Sequence, residues 1–128
     1  MIFLYYGIMT IYSYKQLIVW QRALELVVSC YELTNCFPKD ERFGLVSQMR
    51  RSAVSIPSNI AEGRSMRTKN EYIRFLKIAY GSGAELETQI EIAKRTAIAK
   101  SQDTLQTEDL LEEVMKMLNV MIRKLQSS

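Results

Sequence analysis

The sequence predicts an all-α protein, an up-down-up-down antiparallel four-helix bundle. Three observations carry this. Apolar residues recur at steps of three and four in four separate segments, the period of one helix face, and no segment sustains the alternation of a strand. Five glycines and two prolines in 128 residues are too few for a turn-rich β fold. The links between segments, about 37–41, 63–69 and 99–107, are short, and short links make consecutive helices antiparallel neighbours.

The chain opens on MIFLYYGIMTIYSY, 14 residues without a charge. This run is shorter than the ~20 apolar residues that span a bilayer. It also lacks the basic start and small-residue cleavage site of a signal peptide. Met9 offers a second start, so residues 1–13 read as a start extension or flexible arm and 14–128 as the bundle domain. No membrane partner is expected.

The first helix places Leu17, Trp20, Leu24, Val27 and Tyr31 on one stripe and ends near Phe37-Pro38. The second begins at about Asp40, a good N-cap residue, and carries Leu45, Met49, Ala53, Ile56 and Ile60. In the third, Tyr72, Leu76, Ala79, Gly83, Leu86, Ile90, Ala93 and Ala97 alternate steps of four and three. A second, less apolar stripe of Phe75, Ile78, Ser82, Gln89 and Ile92 flanks it and suggests subunit contacts. Gly81 and Gly83 cost this helix about 1 kcal/mol each, a cost that a close backbone approach at Gly83 would justify. The fourth starts after Thr107, with Glu108 and Asp109 where the helix dipole favours anions and Arg123 and Lys124 where it favours cations. Leu111, Val114, Leu118, Met121 and Leu125 form its stripe.

The second helix contains RRSAVSIPSNIAEG, residues 50–63. Pro57 removes one amide donor and presses on the carbonyl of Ala53, which kinks the helix there or restarts it. Ser55, Ser58 and Asn59 are short polar side chains suited to satisfying the freed backbone groups, so this core reads as structural. An activated serine needs a base, and the chain contains no histidine and no S-x-x-K pairing at Ser52, Ser55 or Ser58. The same lack of histidine rules out the Glu-x-x-His pair of a di-iron bundle, and two cysteines alone, Cys30 and Cys36, do not close a zinc site. Phosphate-loop and dinucleotide fingerprints are missing. The expectation is a non-enzymatic protein without catalytic residues, metal, cofactor or small-molecule substrate. The two cysteines, with no secretion signal, read as reduced thiols of a cytoplasmic protein.

Charge is the strongest functional signal. Residues 42–77 carry eight basic side chains against Glu62 and Glu71, while the whole chain is only +3. Arginine and lysine in such a block fit phosphate, which makes Arg50, Arg51, Arg64, Arg67, Lys69, Arg74 and Lys77 the candidate nucleic-acid contacts. Tyr72 and Phe75 lie among them, in position to stack on unpaired bases. Two other readings stay open: ion pairs with the acidic fourth helix of another subunit, and a plain solvated face.

The runs LIVWQRALEL, FPKDERFGLVSQMRRSAVSIPSNIAEG and FLKIAYGSGAELETQIEIA together resemble the four-helix-bundle proteins of the 23S rRNA intervening-sequence family. The resemblance covers about residues 14–127. It implies a homopentameric ring with a central channel, and many members are encoded within insertions in 23S rRNA genes. A related accessory protein of diversity-generating retroelements is a basic pentameric barrel that binds nucleic acid and a reverse transcriptase. Arg50, Arg51, Glu62 and Arg64 fall in the shared central block, whereas Lys69, Arg74 and Lys77 lie beyond it and rest on charge alone. The expected function is therefore a homo-oligomer that binds RNA or single-stranded DNA. The alternative is a scaffold ring for a protein partner, with the basic block pairing between subunits.

Overall fold

The structure, a computed structural model, describes residues 13–128. The reading of residues 1–12 as an extension or arm lies outside the described residues. Ser13 accepts a hydrogen bond from the Lys15 amide at 3.0 Å and opens a 3-10 turn, Tyr14–Gln16. Four helices follow: α1 (Ile18–Asn35), α2 (Leu45–Arg64), α3 (Lys69–Arg95) and α4 (Ser101–Gln126). A second 3-10 turn, Lys39–Glu41, lies between α1 and α2.

Each helix packs on its chain neighbours, α1 closes against α4, and the diagonal pairs stay apart. The contacts give the directions. Along α2 and α3, Ser55 meets Ser82 at 2.8 Å while Gly63 meets Tyr72 and Phe75. Along α3 and α4, Gly83 meets Met115 and Lys94 meets Glu108 at 2.9 Å. Along α1 and α4, Arg22 meets Glu113 at 2.6 Å and Ser29 meets Thr107 at 2.8 Å. As residue numbers rise on one helix they fall on the other, so these neighbours run antiparallel and the bundle has the expected up-down-up-down course.

The core agrees with the sequence pattern on α2 and α3. Met49, Ala53, Ile56, Ile60, Leu76, Ala79 and Leu86 are fully buried, with Ile90, Val114 and Leu118 beside them. Four elements differ from expectation. On α1 the buried stripe is Val19, Ala23, Leu26, Cys30 and Leu33, whereas Leu24 and Tyr31 are exposed. Apolar residues surround most of this helix, so 3-4 spacing fits two adjacent stripes, and the one with small Ala23 and Cys30 lets the neighbours approach.

The N-cap expected at Asp40 falls in the 3-10 turn, and α2 begins after Gly44. Ala97 does not extend the α3 seam. It takes φ 62° just past the helix, where the Ile98 and Ala99 amides both bond the Ala93 carbonyl. That is a helix-stopping conformation that glycine usually fills. Finally, α4 starts at Ser101, seven residues before the expected first residue, Glu108. Its first two turns look polar, yet Thr104 and Thr107 are buried and continue the spacing of Leu111, Val114 and Leu118. Thr107 shares a hydrogen bond with Ser29, and Thr104 bonds the Ser101 carbonyl at 2.9 Å. Threonine with its hydroxyl satisfied serves there as a core residue.

The second stripe of α3 also divides against expectation. Its polar members Ser82 and Gln89 are buried, while Ile78 and Ile92 face outward.

Candidate functional site

The α2 helix runs unbroken through Pro57, which is buried. Ser55 and Asn59 supply the local polar contacts: Asn59 Nδ2 donates to the Ser55 carbonyl at 2.8 Å and to its hydroxyl at 2.9 Å. The Ser55 hydroxyl also meets Ser82, which ties the turn before Pro57 to α3. Ser58 differs from its expected part in this, being exposed and without a side-chain hydrogen bond among the described residues. Gly83 faces the sulfur of Met115, a side chain of α4 and not a backbone as expected, while Gly81 has open space around it.

The basic block, contiguous in sequence, does not form one patch. Thirteen residues of α2 separate Arg51 from Arg64, about 20 Å along the axis. Arg50 is half-buried and engaged on α1. Its Nε donates to Thr34 Oγ1 at 2.9 Å, its Nη2 to Asn35 Oδ1 at 3.0 Å, and its guanidinium lies 4.4 Å from the Tyr31 ring centre. The last turn of α1 has no basic residue of its own, so Arg50 supplies the cation that the helix C-terminus favours. Burial pushes the nearby Cys30 thiol up to about 11, with the Arg50 charge pulling the other way. Arg51 and Arg42 stay outside, in an open groove of about 650 Å³ shared with Tyr31, Val54 and Phe43. Phe43 is 88% exposed.

At the other end of the bundle, Arg64 closes α2, Arg67 stands in the turn, and Lys69, Arg74 and Lys77 occupy the first turns of α3. The antiparallel course brings the last turn of α4 to the same end, where it adds Arg123 and Lys124. Lys69, Arg74 and Lys77 line a groove of about 470 Å³ with Leu125 and Gln126 of α4. Residues 56–82 and 116–128, which build the α2–α4 part of this end, hold eight basic side chains against Glu62 and Glu71. Residues 83–115, the opposite half of α3 and α4, hold three basic against eight acidic ones. The molecule has a basic pole and an acidic pole.

Ion pairing sharpens this contrast. The pairs are Arg22 with Glu25 and Glu113, Lys94 with Glu91 and Glu108, Arg95 with Glu91, and Lys116 with Glu112. Hydrogen bonds from Arg22 and Arg95 hold the Glu113 and Glu91 carboxyls below their ordinary range. Among the described residues, none of Arg64, Arg67, Lys69, Arg74, Lys77, Arg123 and Lys124 pairs with a carboxylate side chain. Lys69 reaches the backbone oxygen of Ser128 at 2.6 Å, and Arg74 lies 4.5 Å from the Phe75 ring centre.

Of the two aromatic side chains near this pole, Tyr72 packs against the core and Phe75 is half-buried beside the Arg74 guanidinium. A Cβ on Gly63 would stand 2.7 Å from Phe75 Cβ and 3.2 Å from Tyr72 Cδ1. The Tyr72 ring therefore packs at the α2–α3 contact, while Phe75 approaches there through its Cβ and stays half-buried. Burial pushes the Tyr72 phenol up, and the Arg64 charge opposes it.

Among the described residues, no three His, Cys, Asp or Glu side chains gather as metal ligands, and no helix is long and apolar enough to cross a membrane. The family model described as 23S rRNA-intervening sequence protein matches residues 15–120. Among solved structures, a similar one is a protein of unknown function from the S23 ribosomal protein family of Bacteroides thetaiotaomicron VPI-5482. It is 26% identical, with a TM-score of 0.73 over 82% of this chain and 98% of its own. No curated protein matches this chain.

Proposed function

This chain belongs to the 23S rRNA-intervening sequence protein family, and we propose that it is a non-enzymatic cytoplasmic bundle that binds nucleic acid through its basic pole. The carrying observation is the set of seven cations, Arg64, Arg67, Lys69, Arg74, Lys77, Arg123 and Lys124, gathered at one end of the bundle without a carboxylate side chain as partner among the described residues. Such a pole repels itself, and a polyanion relieves the repulsion while releasing its own counterions.

Self-assembly, a ring of five in the implied form, uses a different surface in this reading. The groove with Arg42, Arg51, Phe43 and Val54 combines positive charge with exposed apolar area. The α1–α4 groove offers Leu24 and Val28 beside Glu25, Glu32 and Asp109. Two unlike, complementary patches on one chain favour head-to-tail contacts between copies. The two halves of the basic block then have separate tasks.

Charge reversal separates them. Arg67→Glu with Lys124→Glu is expected to abolish binding of a labelled RNA oligonucleotide at low salt and to leave the solution mass unchanged. Arg51→Glu is expected to reduce the mass seen by light scattering. No binding by the unmodified protein at micromolar concentration sinks the nucleic-acid reading. The second reading, a scaffold for a protein partner, is favoured by the exposure of Phe43. A partner protein that stays bound after nuclease treatment and is lost with Phe43→Ser supports it.

A further inference from the structure

We infer that the basic pole docks end-on against double-helical nucleic acid, through phosphates of both strands, and prefers a duplex to an unpaired strand. The inference rests on the pole being the nucleic-acid surface proposed above.

The cation set is broad, not linear. Proteins that hold single strands track one backbone along a groove and stack successive bases on aromatic rings. Here the cations come from the end of α2, the 65–68 turn, the start of α3 and the end of α4. Helices in contact stand about 10 Å apart, so the set covers a broad area across the bundle end and does not follow one line. An area of that breadth meets phosphates on either side of a duplex groove.

Of the aromatic residues within the cation set, Tyr72 packs its ring against Gly63 and the core, and Phe75 approaches Gly63 through its Cβ. Phe75 also carries the Arg74 guanidinium. Stacking a base on Tyr72 would require α2 and α3 to separate, and stacking one on Phe75 would require the Arg74 guanidinium to leave that ring. Phosphate contact needs no such movement, because Arg67, Lys69, Arg74, Lys77, Arg123 and Lys124 are already exposed.

Charge on the far half of α3 and α4 sets the orientation. The acidic stretch 83–115 occupies the far half of α3 and α4, and α3 alone, with 27 residues, is about 40 Å long. A nucleic acid laid along the side of these helices would face Glu85, Glu87 and Glu91. One set across the pole avoids them, since charges farther away than about 10 Å are largely screened at ordinary salt.

The test is fluorescence anisotropy with two probes of one sequence: an RNA hairpin with a stem of ~16 base pairs and its unpaired 5′ strand. The hairpin is expected to bind at least about tenfold more tightly. Its log–log salt slope is expected near −5, as about five or six phosphates are neutralised on a duplex. Lys69→Glu with Lys124→Glu should flatten that slope by about two. Equal or tighter binding of the unpaired strand overturns the duplex inference while leaving nucleic-acid binding intact. A hairpin slope unchanged by the double reversal overturns the docking pole. If neither probe binds, the functional reading itself fails, and this inference fails with it.

Discussion

Gly63 and Gly81 are both helical glycines with opposite surroundings, so the same substitution should move stability in opposite directions. At Gly63 an added methyl meets the Phe75 Cβ, the Tyr72 ring and, at 3.3 Å, the Tyr72 carbonyl. Overpacking of that kind costs about 1–3 kcal/mol, more than the helix propensity that alanine returns. Gly63→Ala is therefore expected to destabilise the fold by about 1–2 kcal/mol. Nothing lies within 4 Å of the corresponding position at Gly81, and Gly81→Ala should stabilise by about 0.5–1 kcal/mol. Urea denaturation of both variants checks the pair, and equal shifts would refute the assignment. Sequence alone shows each as a glycine at a helical position. Which one has a neighbour depends on how α2 approaches α3.

At the level of single helices, periodicity was legible wherever one face alone is apolar. Met49, Ala53, Ile56 and Ile60 on α2, and Leu76 through Ala93 on α3, read correctly because each forms one long unbroken 3-4 stripe, even though Val54, Ile78, Tyr80 and Ile92 are exposed elsewhere on these helices. On α1 two apolar stripes compete, and Ser29 and Cys30 on the buried side do not announce themselves. On α4 the buried Thr104 and Thr107 disguise two helical turns as a loop. The capping box Thr68–Glu71, whose hydroxyl accepts the Glu71 amide at 3.1 Å, was available as a start signal for α3. The stop of α3 is different, because alanine occupies the left-handed position at residue 97. A left-handed alanine costs about 1–2 kcal/mol, so Ala97→Gly should raise stability by about 1 kcal/mol. A thermal melt that does not rise would show that the turn after α3 is held by other contacts.

For the whole molecule, the arrangement of charge matters more than its sum. Glu91 and Glu113 are held below the ordinary 4.5 of a free glutamate by Arg95 and Arg22. A carboxyl depressed in the folded state stabilises above its unfolded pKa and loses that contribution as pH falls through the folded value. Unfolding midpoints in urea should therefore fall as the pH drops below about 4.5, and less steeply in Glu113→Gln. The same slope in both proteins would remove Glu113 from the account. These carboxyls face solvent, so each contributes little alone; the basic pole adds repulsion as they are neutralised.

Composition, 3-4 periodicity and short links were enough for the fold class, because helix faces and short connections restrict a chain of this size to few packings. The sign of the block 42–77 was equally plain in the residues. Its division was not. One residue step turns a helical side chain by 100°, and α2 carries its two ends about 30 Å apart, so neighbours in sequence became distant in space. The antiparallel return of α4 did the reverse and brought Arg123 and Lys124 beside Lys69, Arg74 and Lys77. Packing also engaged Arg50 on α1, set the Tyr72 ring against Gly63 and left Phe75 beneath the Arg74 guanidinium, so that charge dominates the pole.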